Sequence, residues 1–266
     1  MLEKVKQLLN DDEIAGFIGL KEEHGHPTPH LFTRDNLEDL DSLVVGGVRY
    51  PLNKVLLKVA SRYGEDTLGV MVRGCDERGL NELFKWNQLH RDRVVPVGIA
   101  CPSELAEACE CYKPYPSSWV VGEKTDGVAR SKRLEENEKL NQDERLHYWM
   151  NQFNKCIKCY GCRDVCPMCF CEVCSLEDRN FIPTGKLPPD NPGFHLSRAI
   201  HMVGRCVDCG LCEDACPLDI PVRTLYKKVG EIVSELFDYK TGEDPEGRSP
   251  LNILGDAALD LSGVNR

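Results

Sequence analysis

Hydrophobic residues follow helical and strand periodicities in turn along the first 125 residues. Residues 1–12 place leucine and valine on one face, as in an amphipathic helix, and residues 14–20 and 30–33 are short apolar stretches typical of strands. Further along, predicted strands alternate with predicted helices: strand 42–48, helix 52–63, strand 67–73, helix 76–89 and strand 94–100. This alternation predicts an α/β domain over residues 1–125, with a small mixed or parallel sheet covered by helices.

The pattern changes after residue 125. Residues 126–155 are rich in charged and amide side chains, and apolar residues recur at helical spacing only in their second half, which predicts a helical connector. Residues 222–237 predict another amphipathic helix. Residues 238–266 are rich in Gly, Asp and Pro and predict an extended tail, whose apolar patch we expect to anchor the chain on another subunit: Leu251, Ile253 and Leu254.

Composition narrows the functional classes. Of the 266 residues, 43 are Asp or Glu and 33 are Lys or Arg, and the net charge of −10 opposes binding to nucleic acid or anionic lipid. No apolar run is long enough to cross a membrane. The chain opens without an apolar leader, so we expect a cytoplasmic protein whose 15 cysteines ligate metal and do not form disulfides.

The spacing C-x2-C-x2-C-x3-C-P occurs twice, at residues 156–167 and 206–217. This is the ligand pattern of bacterial two-cluster ferredoxins, in which the fourth cysteine of each motif ligates the other cluster. The predicted ligand sets are Cys156, Cys159, Cys162 and Cys216 for one [4Fe–4S] cluster, and Cys206, Cys209, Cys212 and Cys166 for the other. Zinc is the alternative, but structural zinc sites use cysteine pairs separated by a spacer. Gly161 and Gly210 are expected to form the sharp turns of the two loops.

Seven cysteines lie outside the two motifs. Cys75 and Cys101 follow predicted strands, and with Cys109 and Cys111 they predict an additional [4Fe–4S] cluster at the carboxyl edge of the sheet; the alternative is that some are simply buried thiols. Three more follow the first motif and are possible further ligands or protective thiols: Cys169, Cys171 and Cys174. Seven cysteines suffice for one all-cysteine cluster, so a second additional cluster needs a different ligand or a partner subunit. No dinucleotide fingerprint or P-loop is present.

Two stretches resemble known proteins. Residues 46–102, from GGVRYPLNKVLLKVASRYG to VVPVGIACP, resemble the amino-terminal domain of the β subunits of coenzyme F420-reducing hydrogenase and of F420- or NAD-linked formate dehydrogenase. CIKCYGCRDVCPMCFCEVC and RAIHMVGRCVDCGLCEDACPLDIPVRTL resemble a branch in which a two-cluster ferredoxin module follows that domain. The resemblance implies an α/β domain joined to an α+β ferredoxin-like module, here residues 156–237 with an insertion.

The resemblance also implies partners. Such proteins carry electrons within anaerobic complexes, so the expected partners are a heterodisulfide-reductase-like flavoprotein, a hydrogenase or formate dehydrogenase catalytic subunit, or a ferredoxin. The carboxy-terminal half that completes the flavin and F420 site in those hydrogenase subunits has no counterpart in this sequence, so we expect no flavin. The main hypothesis is an electron-transfer subunit without catalysis of its own. Two alternatives stay open: a flavin- or F420-dependent oxidoreductase subunit, and a structural or regulatory iron–sulfur protein.

Overall fold

A mixed sheet of five strands forms the amino-terminal part of the computed structural model, which describes residues 1–182 and 190–250. The strands are β1 (Gly16–Glu23), β2 (His26–Phe32), β3 (Leu43–Val44), β4 (Leu68–Val72) and β5 (Val94–Gly98). β1, β4 and β5 are parallel, β2 is antiparallel to β1 at the edge of the sheet, and β3 pairs antiparallel with β1 over two residues. The prediction of a small mixed sheet with helices is confirmed.

The edge strand β2 is longer than the predicted strand 30–33, and the added residues include two prolines. Pro27 and Pro29 lie in β2, where their missing N–H groups cost least because one side of an edge strand has no neighbour. The hairpin turns at His24 and Gly25, both with positive φ (53° and 82°). Residues 26–29, which precede the predicted strand 30–33, are therefore also part of β2, and His30 contacts Asp39 at 3.1 Å.

Ten α-helices surround and follow the sheet in the described residues. They are α1 (Leu2–Asn10), α2 (Leu52–Tyr63), α3 (Gly74–Lys85), α4 (Ser103–Ala108), α5 (Lys132–Lys139), α6 (Gln142–Asn154), α7 (Gly161–Asp164), α8 (Asn191–His201), α9 (Leu211–Asp214) and α10 (Val222–Phe237). Short 3-10 segments cover Arg34–Ser42, Arg91–Arg93 and Ser175–Glu177. α3 begins at Gly74, two residues before the predicted start at residue 76. Asp76 therefore lies inside the first turn of the helix, where its carboxylate accepts the Arg73 N–H (2.9 Å).

The connector contains two helices, where the charge pattern predicts one. Asn141 begins α6, its side chain accepting the Glu144 N–H (3.0 Å) while the Glu144 carboxylate accepts the Asn141 N–H (2.9 Å). This reciprocal capping is worth about 1 kcal/mol and favours a new helix start over continuation of α5.

The larger of two hydrophobic clusters in the described residues runs from the sheet into the region that follows the connector. It includes Phe17 and Leu56 in the first part of the chain and Val207 and Tyr226 in the second. Arg78 of α3 is buried between them and donates to the Val207 carbonyl (3.2 Å). The sheet region and the region after the connector are therefore packed against each other. The domain boundaries predicted at residues 125, 155 and 237 stay predictions.

Residues 156–182 and 190–237 contain helices and turns and, in this described part, no strand. The α+β ferredoxin-like description of this region stays a prediction. No helix in residues 1–182 and 190–250 is long and apolar enough to cross a membrane.

The chain after α10 folds back onto α3 as far as the structure describes it. The Tyr239 hydroxyl donates to the buried Glu82 carboxylate (2.9 Å), and Lys85 donates to the Gly247 carbonyl (2.7 Å). Residues 239–247 therefore pack on their own chain and do not form a free arm. The predicted anchor, Leu251, Ile253 and Leu254, lies outside the described residues.

Candidate metal centre

The two cysteine motifs adopt the same backbone conformation. The third and fifth residues of each motif have positive φ: Lys158 (53°) and Tyr160 (61°) in the first, Asp208 (54°) and Gly210 (79°) in the second. One-turn helices, α7 and α9, follow at the same point of each motif. The matching conformations place the cysteines of the two loops in equivalent positions.

The turn of the first loop is made by Tyr160, because Gly161 has no positive φ. The expectation that Gly161 forms the sharp turn of its loop is therefore wrong. The same expectation for Gly210 agrees with its φ of 79°. Gly161 is needed for close packing, since a Cβ there would lie 3.1 Å from the Ala215 carbonyl oxygen of the second loop. The left-handed Tyr160 is held in place by the bond from its hydroxyl to the Leu176 carbonyl (3.1 Å).

Backbone N–H groups point at the cysteine sulfurs in both loops. Lys158 N–H donates to Cys156 Sγ (3.3 Å), and Ile220 N–H donates to Cys216 Sγ (3.5 Å). In the second loop burial raises the pKa of the Cys209 thiol, and a bond from the Leu211 N–H opposes that rise. Such bonds stabilise thiolate over thiol, which is the form that binds iron.

Cys166 of the first motif joins the second motif in one pocket. We call it the crossed pocket, and its cysteines are Cys166, Cys206, Cys209 and Cys212. Burial raises the pKa of the Cys206 thiol to about 12, with Asp208 and Cys209 adding to the rise. Four thiols kept together in a buried site need a cation to become thiolates together.

Cys216 lies among the thiols of the first motif. A Cys216 thiolate raises the pKa of both Cys156 and Cys162, although burial is the larger cause for each. The set Cys156, Cys159, Cys162 and Cys216 is nearer the surface than the crossed pocket, because Cys159 is exposed. The structure thus places each fourth cysteine near cysteines of the other motif, and the two ligand sets stay predictions.

The four cysteines of the amino-terminal part line another pocket. We call it the amino-terminal pocket, and its cysteines are Cys75, Cys101, Cys109 and Cys111. Cys75 lies in the first turn of α3 beyond β4, and Cys101 follows β5, so the parallel strands deliver both to one edge. Glu110 has a φ of 44°, and this turn lets the cysteines on either side of it reach the same pocket.

Arginine side chains line the amino-terminal pocket, and sequence reasoning missed them. Burial raises the pKa of Cys101 to about 11, and Arg73 opposes that rise. Arg49 and Arg223 oppose the rise that burial causes in the pKa of Cys109. The only sequence signal was that Arg49 lies in the stretch that carries the family resemblance and Arg223 closely follows Pro217 of the second motif.

Cys169, Cys171 and Cys174 line a wider cavity of about 660 Å³, together with several basic side chains. Cys169 Sγ accepts a hydrogen bond from Arg198 (3.2 Å), and its hydrogen bond with Cys166 lowers the pKa of Cys169. Cys171 is exposed. The three thiols therefore share one cavity but differ in burial.

Two histidines of α8 lie in different environments. His195 is 2% exposed, and its ring stacks on Phe153 at 4.7 Å between centroids. Burial lowers the pKa of His195 to about 4, so the ring is neutral near pH 7. His201 lines the wider cavity.

The donor chemistry of the crossed pocket fits a [4Fe–4S] cluster. Four thiols line this pocket, backbone N–H groups face sulfur, and buried arginines lie nearby to balance negative charge. Within residues 1–182 and 190–250, no three His, Cys, Asp or Glu side chains are close enough to hold a single metal ion. The arrangement is thus a set of thiols spread around pockets, and their ligation of a cluster is a proposal.

Comparison with known proteins identifies the relatives of the chain. It is 49% identical over 101 residues to the β subunit of F420-dependent formate dehydrogenase 1 from Methanococcus maripaludis, covering 38% of this chain and 26% of that protein. It is 36% identical over 134 residues to the F420-dependent formate dehydrogenase β subunit from Methanocaldococcus jannaschii, covering 50% and 35% respectively. Over these residues the chain is similar to F420-dependent formate dehydrogenase β subunits.

That relationship confirms the resemblance seen in the sequence. The matches to the formate dehydrogenase β subunits span about a quarter to a third of the length of those curated relatives. No family model matches the chain. The fusion of the formate dehydrogenase-like domain to a ferredoxin-like module stays a prediction.

Proposed function

We propose that this chain is an iron–sulfur electron-transfer subunit of an anaerobic oxidoreductase complex, linked in the first instance to formate dehydrogenase. The observation that carries the proposal is the crossed pocket, in which Cys166 of the first motif joins three cysteines of the second. When bound, [4Fe–4S] clusters accept and release single electrons without bond making or proton transfer. The relationship to formate dehydrogenase β subunits supports the choice of complex.

The residues of the chain would hold two clusters. Cys166, Cys206, Cys209 and Cys212 hold one, and Cys156, Cys159, Cys162 and Cys216 hold the other. Arg198 donates to the Cys162 carbonyl (2.8 Å) and lines the crossed pocket, so its positive charge lies between the two sites. A buried cation there favours the more negative, reduced form of either site.

The loop of the first motif is the better candidate for electron exchange with a partner. Ile157 is 66% exposed, whereas Val207 at the equivalent position of the second loop is 3% exposed. Cys159 is also exposed. An exposed apolar residue beside a shallow cluster fits transient contact with another protein, and we infer that electrons enter or leave at this loop.

The amino-terminal pocket is proposed to hold a third [4Fe–4S] cluster on Cys75, Cys101, Cys109 and Cys111. Cys169, Cys171 and Cys174 are possible ligands of a further cluster, which would need a fourth ligand that is not a cysteine or that comes from a partner subunit. Partners of the expected chemistry are a heterodisulfide-reductase-like flavoprotein, a hydrogenase or formate dehydrogenase catalytic subunit, or a ferredoxin. We propose a cytoplasmic location for the chain, with no nucleic-acid partner and no insertion into a membrane.

Metal analysis of the full chain after anaerobic purification tests the proposal. Two clusters require about eight irons and as many acid-labile sulfides per chain, and the amino-terminal pocket raises this to about twelve. Reduction by dithionite should produce electron paramagnetic resonance signals of [4Fe–4S]+. A preparation that binds about one zinc per motif and no iron overturns the proposal.

A second candidate function is direct oxidation or reduction of F420 or a flavin by this chain. The relatives favour it, because both are β subunits of F420-dependent formate dehydrogenases. The test is the absorption spectrum of the purified chain after subtraction of the iron–sulfur contribution, with F420 reduction assayed on the chain alone. A flavin band together with turnover would establish this candidate in place of the relay.

A further inference from the structure

The amino-terminal pocket and the crossed pocket share a wall. Cys209 and Arg223 line both pockets. Arg223 is 5% exposed and donates to the Cys109 carbonyl, to the Asp208 carboxylate (2.6 Å) and to the Asp208 carbonyl (2.9 Å). One guanidinium therefore connects the backbone beside one pocket to the loop that forms the other.

Arg49 makes a second connection across the same wall. It lines the amino-terminal pocket and donates to the Cys209 carbonyl and to the Asp214 carboxylate of α9. A Cβ on Gly210 would lie 3.1 Å from a terminal nitrogen of Arg223 and 3.1 Å from one of Arg49. Both arginines therefore converge on the Cys209–Gly210 backbone, each held there by its own carboxylate.

We propose that Arg49 and Arg223 are positioning residues that hold the amino-terminal pocket and the crossed pocket against each other across Cys209, as consecutive electron-transfer sites. This inference rests on the proposed function. Passage of one electron oxidises one site and reduces its neighbour, with no bond or proton involved. The buried Arg223 and the partly buried Arg49 stabilise the additional negative charge on either side of the wall, so they also raise the reduction potential of both sites.

The experiment is a redox titration of the full-length, anaerobically purified protein followed by electron paramagnetic resonance. The variants are Arg223→Gln and Arg49→Gln, with Arg223→Lys to retain charge without the guanidinium fork. Asp208 keeps Lys227 as a partner at 3.3 Å when Arg223 is replaced, which favours folding. Arg93→Gln is the matched control, because Arg93 precedes β5 at the opposite end from Cys101 and pairs with Glu65.

In both glutamine variants we expect iron content to be retained and the reduction equilibrium of at least one site to shift tenfold or more, about 59 mV for one electron. Arg223→Lys should shift it less, and Arg93→Gln should not shift it. In the wild-type protein the signals of the two sites should show magnetic interaction when both are reduced. This wild-type measurement decides the matter if the variants fail to bind iron.

Unchanged potentials in iron-loaded Arg49→Gln and Arg223→Gln overturn the inference and leave the proposed function standing. The inference is also overturned if the wild-type protein holds only about eight irons and no cluster on Cys75, or if the paramagnetic signals of its two sites show no magnetic interaction. A wild-type protein without iron overturns the proposed function itself. Failure of the inference and failure of the function are therefore separate results.

Discussion

Lys85→Met should destabilise the protein strongly, because it removes the counterion of a buried carboxylate. Glu82 is 1% exposed, and Lys85 Nζ lies 2.6 Å from its Oε1 with a side chain that is itself 7% exposed. Lys85 also donates to the Asp244 carbonyl (3.0 Å) and the Gly247 carbonyl (2.7 Å). The lysine thus clamps residues 239–247 onto α3.

The magnitude follows from the loss of one partner of a buried pair, which costs about 3–5 kcal/mol. At about 2–4 °C per kcal/mol, the melting temperature should fall by about 6–20 °C. The assay is thermal and urea unfolding of the anaerobic protein followed by circular dichroism. Lys4→Met, which changes an exposed lysine of α1, is the control and should change stability by less than about 0.5 kcal/mol.

The double variant Lys85→Met/Glu82→Gln separates the ion pair from the rest of the packing. It removes the uncompensated charge, while the amide oxygen introduced at position 82 still accepts the bond from the Tyr239 hydroxyl. The double variant should therefore be more stable than Lys85→Met alone. A cost below about 1 kcal/mol for Lys85→Met, or no recovery in the double variant, would refute the reasoning.

Three further results are expected. Cys166→Ala should damage the crossed pocket more than the site formed mainly by its own motif, and loss of only the latter's spectroscopic signal would contradict the crossing. The pKa of His195 is lowered by burial to about 4, so its neutral ring stabilises the fold above pH 6.5 and this stability is lost as the pH falls toward 4. Between pH 6.5 and 5 the loss is about 2 kcal/mol, and urea unfolding of His195→Phe should lack it, whereas equal pH dependence would argue against it. Ending the chain at Phe237 removes Tyr239 and should give a lower melting temperature than ending it at Pro250, and equal values would show that residues 238–250 do not stabilise the fold.

Local sequence determined most of the elements and the two cysteine loops. α2 and α10 have the predicted bounds because their amphipathic periods are uninterrupted. The charged and amide-rich composition of the connector predicts one helix. The break between α5 and α6 depends on the reciprocal capping at Asn141. Pro27 and Pro29 are unfavourable inside a strand in general, and only the position of β2 at the sheet edge makes them compatible with one.

The sequence by itself determined how the cysteines group into two repeated motifs, because their spacing fixes how many thiols each short loop presents. It also indicated that Cys75 and Cys101 meet, since parallel strands end at a common edge. Only the tertiary structure decided that this edge abuts the second loop across Cys209, and that Arg49 and Arg223 occupy the wall between them. Contacts between residues more than 100 positions apart depend on how the two regions pack, and no local period or spacing records that packing.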